Sequence, residues 1–246
     1  MHLEIEKISK SYGNEEVIKD LSLQLEANKT LSILGKSGCG KTTMLKIIAG
    51  LTKPDNGSIK MAGKDISDLS PEKRGIVYLY QEDLLFPHLN VFENIAFGLR
   101  IRKENEADIN RKVNEMLLFL ELEKQAQRMP HELSGGQRQR VSFGRAIIIN
   151  PSILLLDEPF GSLDSGTRQR MQHLFKDMAD KFQITSLLVT HDLKEAILMG
   201  DQIGFMKKGR LQVYNSRDEF INDPQTGVQS ELHFWEGLKN EKTEQL

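Results

Sequence analysis

Residues 35–42 decide the fold, and they read Gly35-Lys36-Ser37-Gly38-Cys39-Gly40-Lys41-Thr42. This stretch fits the phosphate-loop pattern G-x-x-x-x-G-K-S/T, and it lies between a short apolar run and a run with helical spacing, which is the context that the pattern requires. Glycines let the backbone curl so that successive N–H groups face phosphate oxygens, and the positive end of the following helix adds to the attraction. We therefore predict a nucleotide site in which Lys41 reaches the β- and γ-phosphates and Thr42 binds Mg²⁺.

The single cysteine of the chain, Cys39, lies inside this loop. The surrounding amides would favour its thiolate, but a small residue that fits a tight loop is the plainer interpretation. One cysteine forms neither an internal disulfide nor a cysteine-rich zinc site, which is typical of a protein from a reducing compartment.

Outward from the loop, four short runs are almost continuously apolar, at residues 31–34, 75–79, 153–156 and 185–189. Such runs are typical of strands that are buried on both faces of a parallel sheet. Between them, apolar side chains recur every three or four residues, which predicts amphipathic helices. The clearest sets are Ile109, Val113, Met116, Leu117 and Leu120, and Met171, Leu174, Phe175, Met178 and Phe182. The alternation of strands and helices predicts an α/β fold with a parallel-sheet core.

Two regions depart from that alternation. Leu21, Leu23 and Leu25 alternate with polar side chains, which predicts a strand with one wet face and an antiparallel β subdomain near the N-terminus. From about residue 86 to residue 150 the chain has helical spacing without an intervening apolar strand. We therefore predict an inserted helical subdomain over residues 86–150.

The composition limits the function classes. With 246 residues, 39% of them hydrophobic and 28% charged, the chain is typical of an ordinary globular domain and unlike disordered, collagen-like or coiled-coil sequences. The net charge of −2 provides no overall positive field, so we predict no nucleic-acid partner. The charged N-terminus lacks the apolar run of a secretory signal, and no run approaches about 18 apolar residues. We therefore expect that the chain does not cross a membrane by itself.

Two carboxylates, Asp157 and Glu158, end the apolar run at residues 153–156. Because ligands bind at the carboxyl ends of the strands in α/β sheets, this pair is predicted to face the phosphate loop. Asp157 would hold the Mg²⁺ shell, and Glu158 would orient or deprotonate the attacking water. Considered alone, the pair would be interpreted as two solvated charges at a strand end, and it is the neighbouring phosphate loop that favours the functional interpretation.

A second glycine motif, Leu133-Ser134-Gly135-Gly136-Gln137, precedes the helical run at residues 138–149. Ser134 and the two glycines would stand at a helix N-terminus with free amides, which is a phosphate-sized anion site. Two chains paired head to tail around a twofold axis would let this site close over the γ-phosphate held by the partner. Taken alone, the motif is also consistent with a plain helix cap.

The order of phosphate loop, residues 133–137 and the Asp157-Glu158 pair resembles the ATP-binding cassette ATPases over roughly residues 3–220. The match at residues 133–137 is highly specific, whereas many families share a phosphate loop. The resemblance implies a P-loop NTPase (RecA-like) core with the N-terminal antiparallel β subdomain and the inserted helical subdomain described above.

The resemblance also implies roles for further residues. Tyr12 would stack on adenine, and Gln81 would contact Mg²⁺ or water and sense a membrane partner. Asp164 would cross the dimer interface, and His191 would contact the γ-phosphate. The expected catalytic residues are Glu158, His191, Gln81 and Lys41, and the expected metal ligands are Thr42, Gln81 and Asp157. Nucleotide contacts are expected from Tyr12, Gly35, Lys36, Ser37, Gly38, Cys39, Gly40, Lys41, Thr42, Thr43, Ser134, Gly135, Gly136, Gln137 and Asp164.

For the mechanism, the resemblance implies that two ATPase subunits bind two ATP-Mg²⁺ between them, and we expect both subunits to be copies of this chain. It also implies that hydrolysis reopens the dimer and that this motion drives separate integral membrane permease subunits. The γ-phosphate supplies negative charge that the helix-end amides of the opposite subunit bind, and ADP lacks it, so closure depends on ATP. The implied protein is cytoplasmic and peripheral on the inner face of the cell membrane, with an extracytoplasmic solute-binding protein as a further partner.

Residues 81–99 are apolar for a loop region and resemble the corresponding stretch of bacterial importer ATPases for iron, polyamines, sulfate, molybdate or phosphonates. They predict a groove for a short helix of the permease, although packing between the core and the helical subdomain also explains many of these side chains. We expect an ABC ATPase domain over residues 1–224 and a short tail over residues 225–246, in place of the C-terminal β-domain of many such importers.

Three alternatives to an importer motor stay open. The first is a soluble ATPase of the same family that acts outside transport, and the second is a motor for export or lipoprotein release. The third is a nucleotide sensor that does not hydrolyse, and Glu158 argues against it because the water-activating carboxylate is present.

Overall fold

A computed structural model describes residues 2–82 and 84–229, and within them the chain forms ten strands, seven α-helices and three short 3₁₀ helices. The strands are β1 (Leu3–Tyr12), β2 (Glu15–Leu25), β3 (Thr30–Gly35), β4 (Asn56–Met61), β5 (Lys64–Asp65), β6 (Ile76–Leu79), β7 (Ile153–Asp157), β8 (Ser186–Thr190), β9 (Gln202–Lys207) and β10 (Arg210–Tyr214). The helices are α1 (Lys41–Ala49), α2 (Val91–Ile101), α3 (Glu106–Phe119), α4 (Gly135–Ile147), α5 (Ser165–Phe182), α6 (Leu193–Met199) and α7 (Arg217–Asn222).

The first sheet has the strand order β2-β1-β4-β5, and all of its pairs are antiparallel. Leu3 of β1 lies opposite Leu25 on one side and Met61 on the other. In β2, Leu21 and Leu23 are buried with Leu25, and the polar residues between them are exposed. The predicted antiparallel β subdomain is confirmed.

The second sheet has the strand order β10-β9-β3-β8-β7-β6. Its strands pair in parallel, except that β10 runs antiparallel to β9 at one edge. All residues of β3 and β8 are buried, and so are the first four of β7, as expected for strands covered on both faces. The predicted parallel core is confirmed. The carboxyl ends of β3, β8 and β7 lie side by side, so the loops that follow these strands share one edge of the sheet.

Helix α1 is fixed between the two sheets. Its buried residues Ile47 and Ile48 belong to one apolar cluster with Ile8 of the first sheet and with Ile33 and Leu155 of the second. Burial of an aliphatic side chain contributes about 1.5–3 kcal/mol, so several such residues anchor the short helix firmly. The N-terminus of α1 is therefore held in place relative to β3 and β7.

Residues 86–150, all of which the structure describes, contain α2, α3 and α4 and no strand. Each helix begins at a side-chain cap, formed by Asn90, Asn105 and Ser134 respectively. The predicted apolar face of α3 packs inward and joins a cluster that continues into β7 and α5. The inserted helical subdomain is therefore confirmed, and its packing ties the N-terminus of α4 to the core.

At the C-terminal end of the described chain, Tyr214, Phe220 and Val228 pack with Ile203 in a third cluster. Residues 230–246, which make up most of the predicted tail, lie outside the described residues, and the domain boundary after residue 224 stays a prediction. Among the helices described, none has the length and apolar character that are needed to span a bilayer.

Candidate nucleotide-binding site

The loop at residues 35–42 joins β3 to α1, and its glycines are required by its shape. Gly38 and Gly40 have φ angles of 79° and 110°, which disfavour residues with a side chain. A Cβ atom on Gly40 would also lie 2.9 Å from the carbonyl oxygen of Val17. The loop therefore curls as the sequence predicts, and Gly40 precedes α1 without a side chain that could cap the first amides of the helix.

Lys41 lies beneath this loop and is only 5% exposed. Its Nζ donates to the carbonyl oxygens of Gly35 and Lys36 over 2.7 and 3.3 Å. The same Nζ lies 3.5 Å from Oε1 of Glu158. The three hydrogens of this buried ammonium thus have two carbonyl oxygens and one carboxylate oxygen as neighbours, so a phosphate would replace one of them, and the role of Lys41 in phosphate binding stays a prediction.

Thr42 and Asp157 meet in the same region. The Thr42 hydroxyl donates to Oδ1 of Asp157 over 3.3 Å, and the hydroxyl of Tyr78 donates to Oδ2 over 2.7 Å. Burial and then this bond to Asp157 raise the pKa of Tyr78 above its ordinary value, so the Tyr78 hydroxyl keeps its proton.

Hydroxyl and carboxylate oxygens are the ligands that Mg²⁺ prefers, so Thr42 and Asp157 fit that ion. Within the described part of the chain, no group of three or more His, Cys, Asp or Glu side chains is arranged to hold a metal by itself.

Glu158 and His191 form a pair at the adjacent ends of β7 and β8. The Glu158 side chain is 19% exposed, and its Oε2 accepts a hydrogen bond of 2.8 Å from Nδ1 of His191, which is 59% exposed. Glu158 has a φ angle of 48°, and its amide donates to the carbonyl oxygen of Val189 over 3.0 Å. This uncommon backbone conformation turns the carboxylate toward both Lys41 and His191, and strained residues of this kind cluster at functional sites.

Gln81 follows β6 and is exposed. Its Nε2 lies 3.3 Å from the position that a Cβ atom on Gly161 would take, and the carbonyl oxygen of Glu158 lies 3.4 Å from the same position. Gln81 therefore flanks the loop after Glu158.

Tyr12, at the end of β1, is 50% exposed, and the Nζ of Lys10 lies 5.7 Å from its ring centroid. Its ring is accessible, as an adenine-stacking residue must be.

The serine-glycine motif forms the N-terminus of α4. Ser134 Oγ accepts from the amide of Gln137 over 3.3 Å, and Gln137 Oε1 accepts from the amide of Ser134 over 3.0 Å. This reciprocal capping box contributes roughly 1 kcal/mol to helix stability. The structure thus shows the helix cap that the motif allows, and the anion site at the same helix end stays a prediction.

A cavity of about 420 Å³ lies beside this helix end, and its lining comes from the helical subdomain, from α5 and from the loop before α5. Asp164, the N-terminal cap of α5, contributes to the lining and accepts from the amide of Thr167 over 3.0 Å. Hydrogen bonds from Thr167 lower the pKa of Asp164. The structure therefore brings Ser134, Gly135, Gly136, Gln137 and Asp164 together, at a second place distinct from the loop at residues 35–42.

A family model described as ABC transporter matches residues 18–161, which is more than half of the 246-residue chain. The chain belongs to the ABC transporter family. This result confirms the predicted family and the P-loop ATPase fold.

The relatives found by comparison are importer subunits of this family. The sulfate/thiosulfate import ATP-binding protein CysA of Bacillus cereus is 42% identical over 91% of this chain and 64% of its own length. The spermidine/putrescine import ATP-binding protein PotA of Aggregatibacter actinomycetemcomitans is 44% identical over 90% of this chain and 60% of its own length. The CysA protein of Pectobacterium atrosepticum is 42% identical over 91% and 69%. The chain thus spans about two thirds of the length of these ABC relatives, and the predicted resemblance to importer ATPases is confirmed.

Several features of this ABC site were not predicted from the sequence. Burial raises the pKa of the Cys39 thiol, which supports the plainer interpretation of Cys39 as a small loop residue. Burial also raises the pKa of Glu195 to about 7, although the Thr190 hydroxyl donates to Oε2 of Glu195 over 3.0 Å. Because Thr190 immediately precedes His191, Glu195 supports the strand end that carries the histidine. The third unpredicted feature is Tyr78, described above, and neither Glu195 nor Tyr78 belongs to any of the motifs found in the sequence.

Proposed function

We propose that this chain is the ATP-hydrolysing motor subunit of a multi-subunit ABC importer, with the ATPase domain over residues 1–224. The observation that carries the proposal is the convergence of Lys41, Glu158 and His191, with an Nζ–Oε1 distance of 3.5 Å and an Nδ1–Oε2 distance of 2.8 Å. A base that is oriented by a histidine and placed beside a buried cation is the arrangement that water attack on a phosphoryl group needs.

In the proposed reaction, the loop amides and Lys41 bind the β- and γ-phosphates and neutralise negative charge as the bond to the leaving oxygen breaks. Glu158 accepts the proton of the attacking water, and His191 holds the carboxylate in place and contacts the γ-phosphate. Mg²⁺, held by Thr42, Asp157 and Gln81, would supply positive charge to the phosphate oxygens. Tyr12 would stack on the adenine ring.

The proposed active form is a dimer of two ATPase subunits, expected to be two copies of this chain. Ser134, Gly135 and Gly136 of one subunit would bind the γ-phosphate held by the other, and Asp164 would lie at the interface. The cavity of about 420 Å³ that these residues line supports this assignment, because it offers an open helix end on the surface.

The proposed membrane partner is an integral permease. The ATPase would then lie on the cytoplasmic side of the membrane, and an extracytoplasmic solute-binding protein would deliver the transported solute to the permease. A cavity of about 600 Å³ lies where Gln81, Leu84 and Leu85 meet Pro130 and Ser162. Leu84 is 53% exposed there. The lining also includes Glu82 and Arg138, so the groove combines leucines with charges of both signs. A short amphipathic helix of the permease would fit such a mixed groove, and Gln81 in its lining would report the contact to the nucleotide site.

The test of this proposal compares the wild-type chain with Glu158→Gln. Wild type should release phosphate from ATP, and the variant should bind ATP yet hydrolyse it at least about 100-fold more slowly, which is the scale of losing a general base. The variant should also accumulate as a dimer in ATP on size exclusion. Glu16→Gln, at an exposed position on β2, is the matched control and should behave as wild type.

Two further results would argue against the proposal. ATP binding without phosphate release by the wild-type chain would instead favour a nucleotide sensor. Active ATPase that is recovered from its native host without any membrane protein would favour a soluble factor of the same family.

A further inference from the structure

The carboxylate of Asp157 is held on both of its oxygens. Thr42, which is an expected metal ligand, donates to Oδ1 over 3.3 Å, whereas Tyr78 donates to Oδ2 over 2.7 Å. The bond from Tyr78 is the shorter of the two and comes from a ring that is partly buried. It therefore restricts the rotation of the carboxylate more strongly than Thr42 does.

The register of the sheet explains why these two residues meet. Tyr78 lies opposite Leu155 in the parallel pair of β6 and β7. Asp157 is two residues beyond Leu155, so its side chain leaves the same face of the sheet. The Tyr78 ring packs on the apolar cluster that contains Leu155, and its hydroxyl extends from there to the strand end.

Tyr78 also contacts the residue before Gln81. The ring centroids of Tyr78 and Tyr80 are 4.4 Å apart, with an interplanar angle of 39°. Tyr80 directly precedes Gln81, the other expected metal ligand on this side of the site. The Tyr78 ring is thus placed between two segments that both carry candidate ligands.

We propose that Tyr78 is a positioning residue for the metal, whose hydroxyl holds Oδ2 of Asp157 so that Oδ1 stays turned toward Thr42 and the Mg²⁺ position. This inference rests on the nucleotide site proposed above. Hydrogen-bond partners of metal-ligating groups commonly change metal affinity by about 10- to 100-fold when they are removed. Tyr78 acts through Asp157 and needs no contact with the nucleotide.

The experiment uses Tyr78→Phe, which removes the hydroxyl and keeps the ring. Mn²⁺ serves as the probe, and its binding is measured by electron paramagnetic resonance at a saturating concentration of a non-hydrolysable ATP analogue. The Mn²⁺ dissociation constant should rise about 10-fold, while the affinity for the analogue in EDTA stays at the wild-type value. An unchanged Mn²⁺ dissociation constant would overturn the proposal, and so would an equal loss of affinity for the analogue in EDTA, because that result would indicate a structural role.

Two control variants separate this inference from the proposed site. Tyr214→Phe also removes a hydrogen bond from tyrosine to aspartate, the 2.6 Å bond to Asp223, and should leave Mn²⁺ binding unchanged. Asp157→Asn should weaken Mn²⁺ binding more than Tyr78→Phe does. Without an effect of Asp157→Asn the proposed metal site itself is wrong, whereas an effect of Asp157→Asn with none of Tyr78→Phe refutes only the role of Tyr78.

Discussion

Two helices of this chain begin at glycine-rich motifs, and their N-termini are prepared differently. Helix α1 follows Gly40, which has no side chain, and Lys41 beneath the loop is 5% exposed. Helix α4 begins at Ser134, whose side chain already caps the amide of Gln137. The N-terminus of α1 therefore has no side-chain cap and has a buried lysine beside it. The N-terminus of α4 is capped by the side chain of Ser134.

The two helix ends differ in the groups that surround them. Around α1, the Lys41 ammonium, the Asp157 carboxylate and the Glu158–His191 pair converge from the ends of three strands of one sheet. Around α4, the neighbouring cavity is lined by charges of both signs, Arg140 and Arg170 together with Glu121 and Asp164. None of the predicted metal ligands is among the residues that line this cavity, and the proposed function brings the nucleotide to it on another subunit.

Lys41→Ala should weaken nucleotide binding more than any other substitution, because it removes the cation near α1 and leaves α4 unchanged. Loss of a buried ammonium that is proposed to bind two phosphates should weaken ATP binding by about 100-fold, since each charge-assisted bond contributes about 1.5–3 kcal/mol. Isothermal calorimetry with ATP measures the change. Lys53→Ala, at an exposed lysine on the surface, is the matched control. Equal affinity in the Lys41 variant and wild type would remove the distinction between the two helix ends.

The second prediction concerns α4. Ser134→Arg should leave ATP affinity of the isolated chain near the wild-type value and reduce ATP turnover at least about 10-fold, because the bulky side chain blocks closure over the partner's γ-phosphate. Calorimetry and phosphate release measure the two quantities separately.

The control for Ser134→Arg is Ser216→Arg. Ser216 caps α7 in the same way, with its Oγ 3.1 Å from the amide of Glu219. A drop in turnover that is shared by both variants would point to loss of a cap in general. Wild-type turnover in Ser134→Arg would refute the assignment of this helix end to the γ-phosphate.

The contrast between the two helix ends was largely predictable, because both motifs are local. Residues 35–42 and residues 133–137 each carry their glycines and polar groups within one short stretch, next to the strand or helix that they serve. The Asp157-Glu158 pair was predictable for the same reason, since it ends an apolar strand.

What could not be predicted depends on the register between distant strands. Tyr78 meets Asp157 only because β6 pairs with β7, and these strands are separated by the whole helical subdomain. Likewise, the link from the loop before α5 to the loop after β8 passes through Arg168, which donates to the carbonyl oxygen of Leu163 and lies 3.6 Å from Asp192. No spacing within the sequence marks these contacts.

Glu195 makes the stability of the strand end that carries His191 depend on pH. Because burial raises the pKa of Glu195 from 4.5 to about 7, the folded chain keeps a proton between these pH values that the unfolded chain has released. The free energy of unfolding therefore falls as the pH rises through this window. Glu195→Gln removes this titration, so its stability relative to wild type should rise by roughly 2–3 kcal/mol between pH 5 and pH 8.

Urea denaturation of both proteins at several pH values measures this difference, with Glu16→Gln as the control for losing one carboxylate at an exposed position. A constant stability difference between Glu195→Gln and wild type across the range would show that Glu195 is ionised throughout. In that case the support behind His191 would be an ion and not a neutral hydrogen-bonding group.

Tyr12→Ala should weaken ATP binding less than any of the substitutions above affects its own measurement. The Tyr12 ring is 50% exposed and lies at the end of β1. Stacking on adenine is worth about 0.5–1.5 kcal/mol, so Tyr12→Ala should weaken ATP binding by about 3- to 10-fold. Tyr12→Phe keeps the ring and should bind as wild type does. An equal loss of affinity for ATP and for inorganic triphosphate in Tyr12→Ala would contradict stacking, because triphosphate has no base. A loss of affinity for ATP alone would show that the site near α1 recognises the base and the phosphates through separate groups.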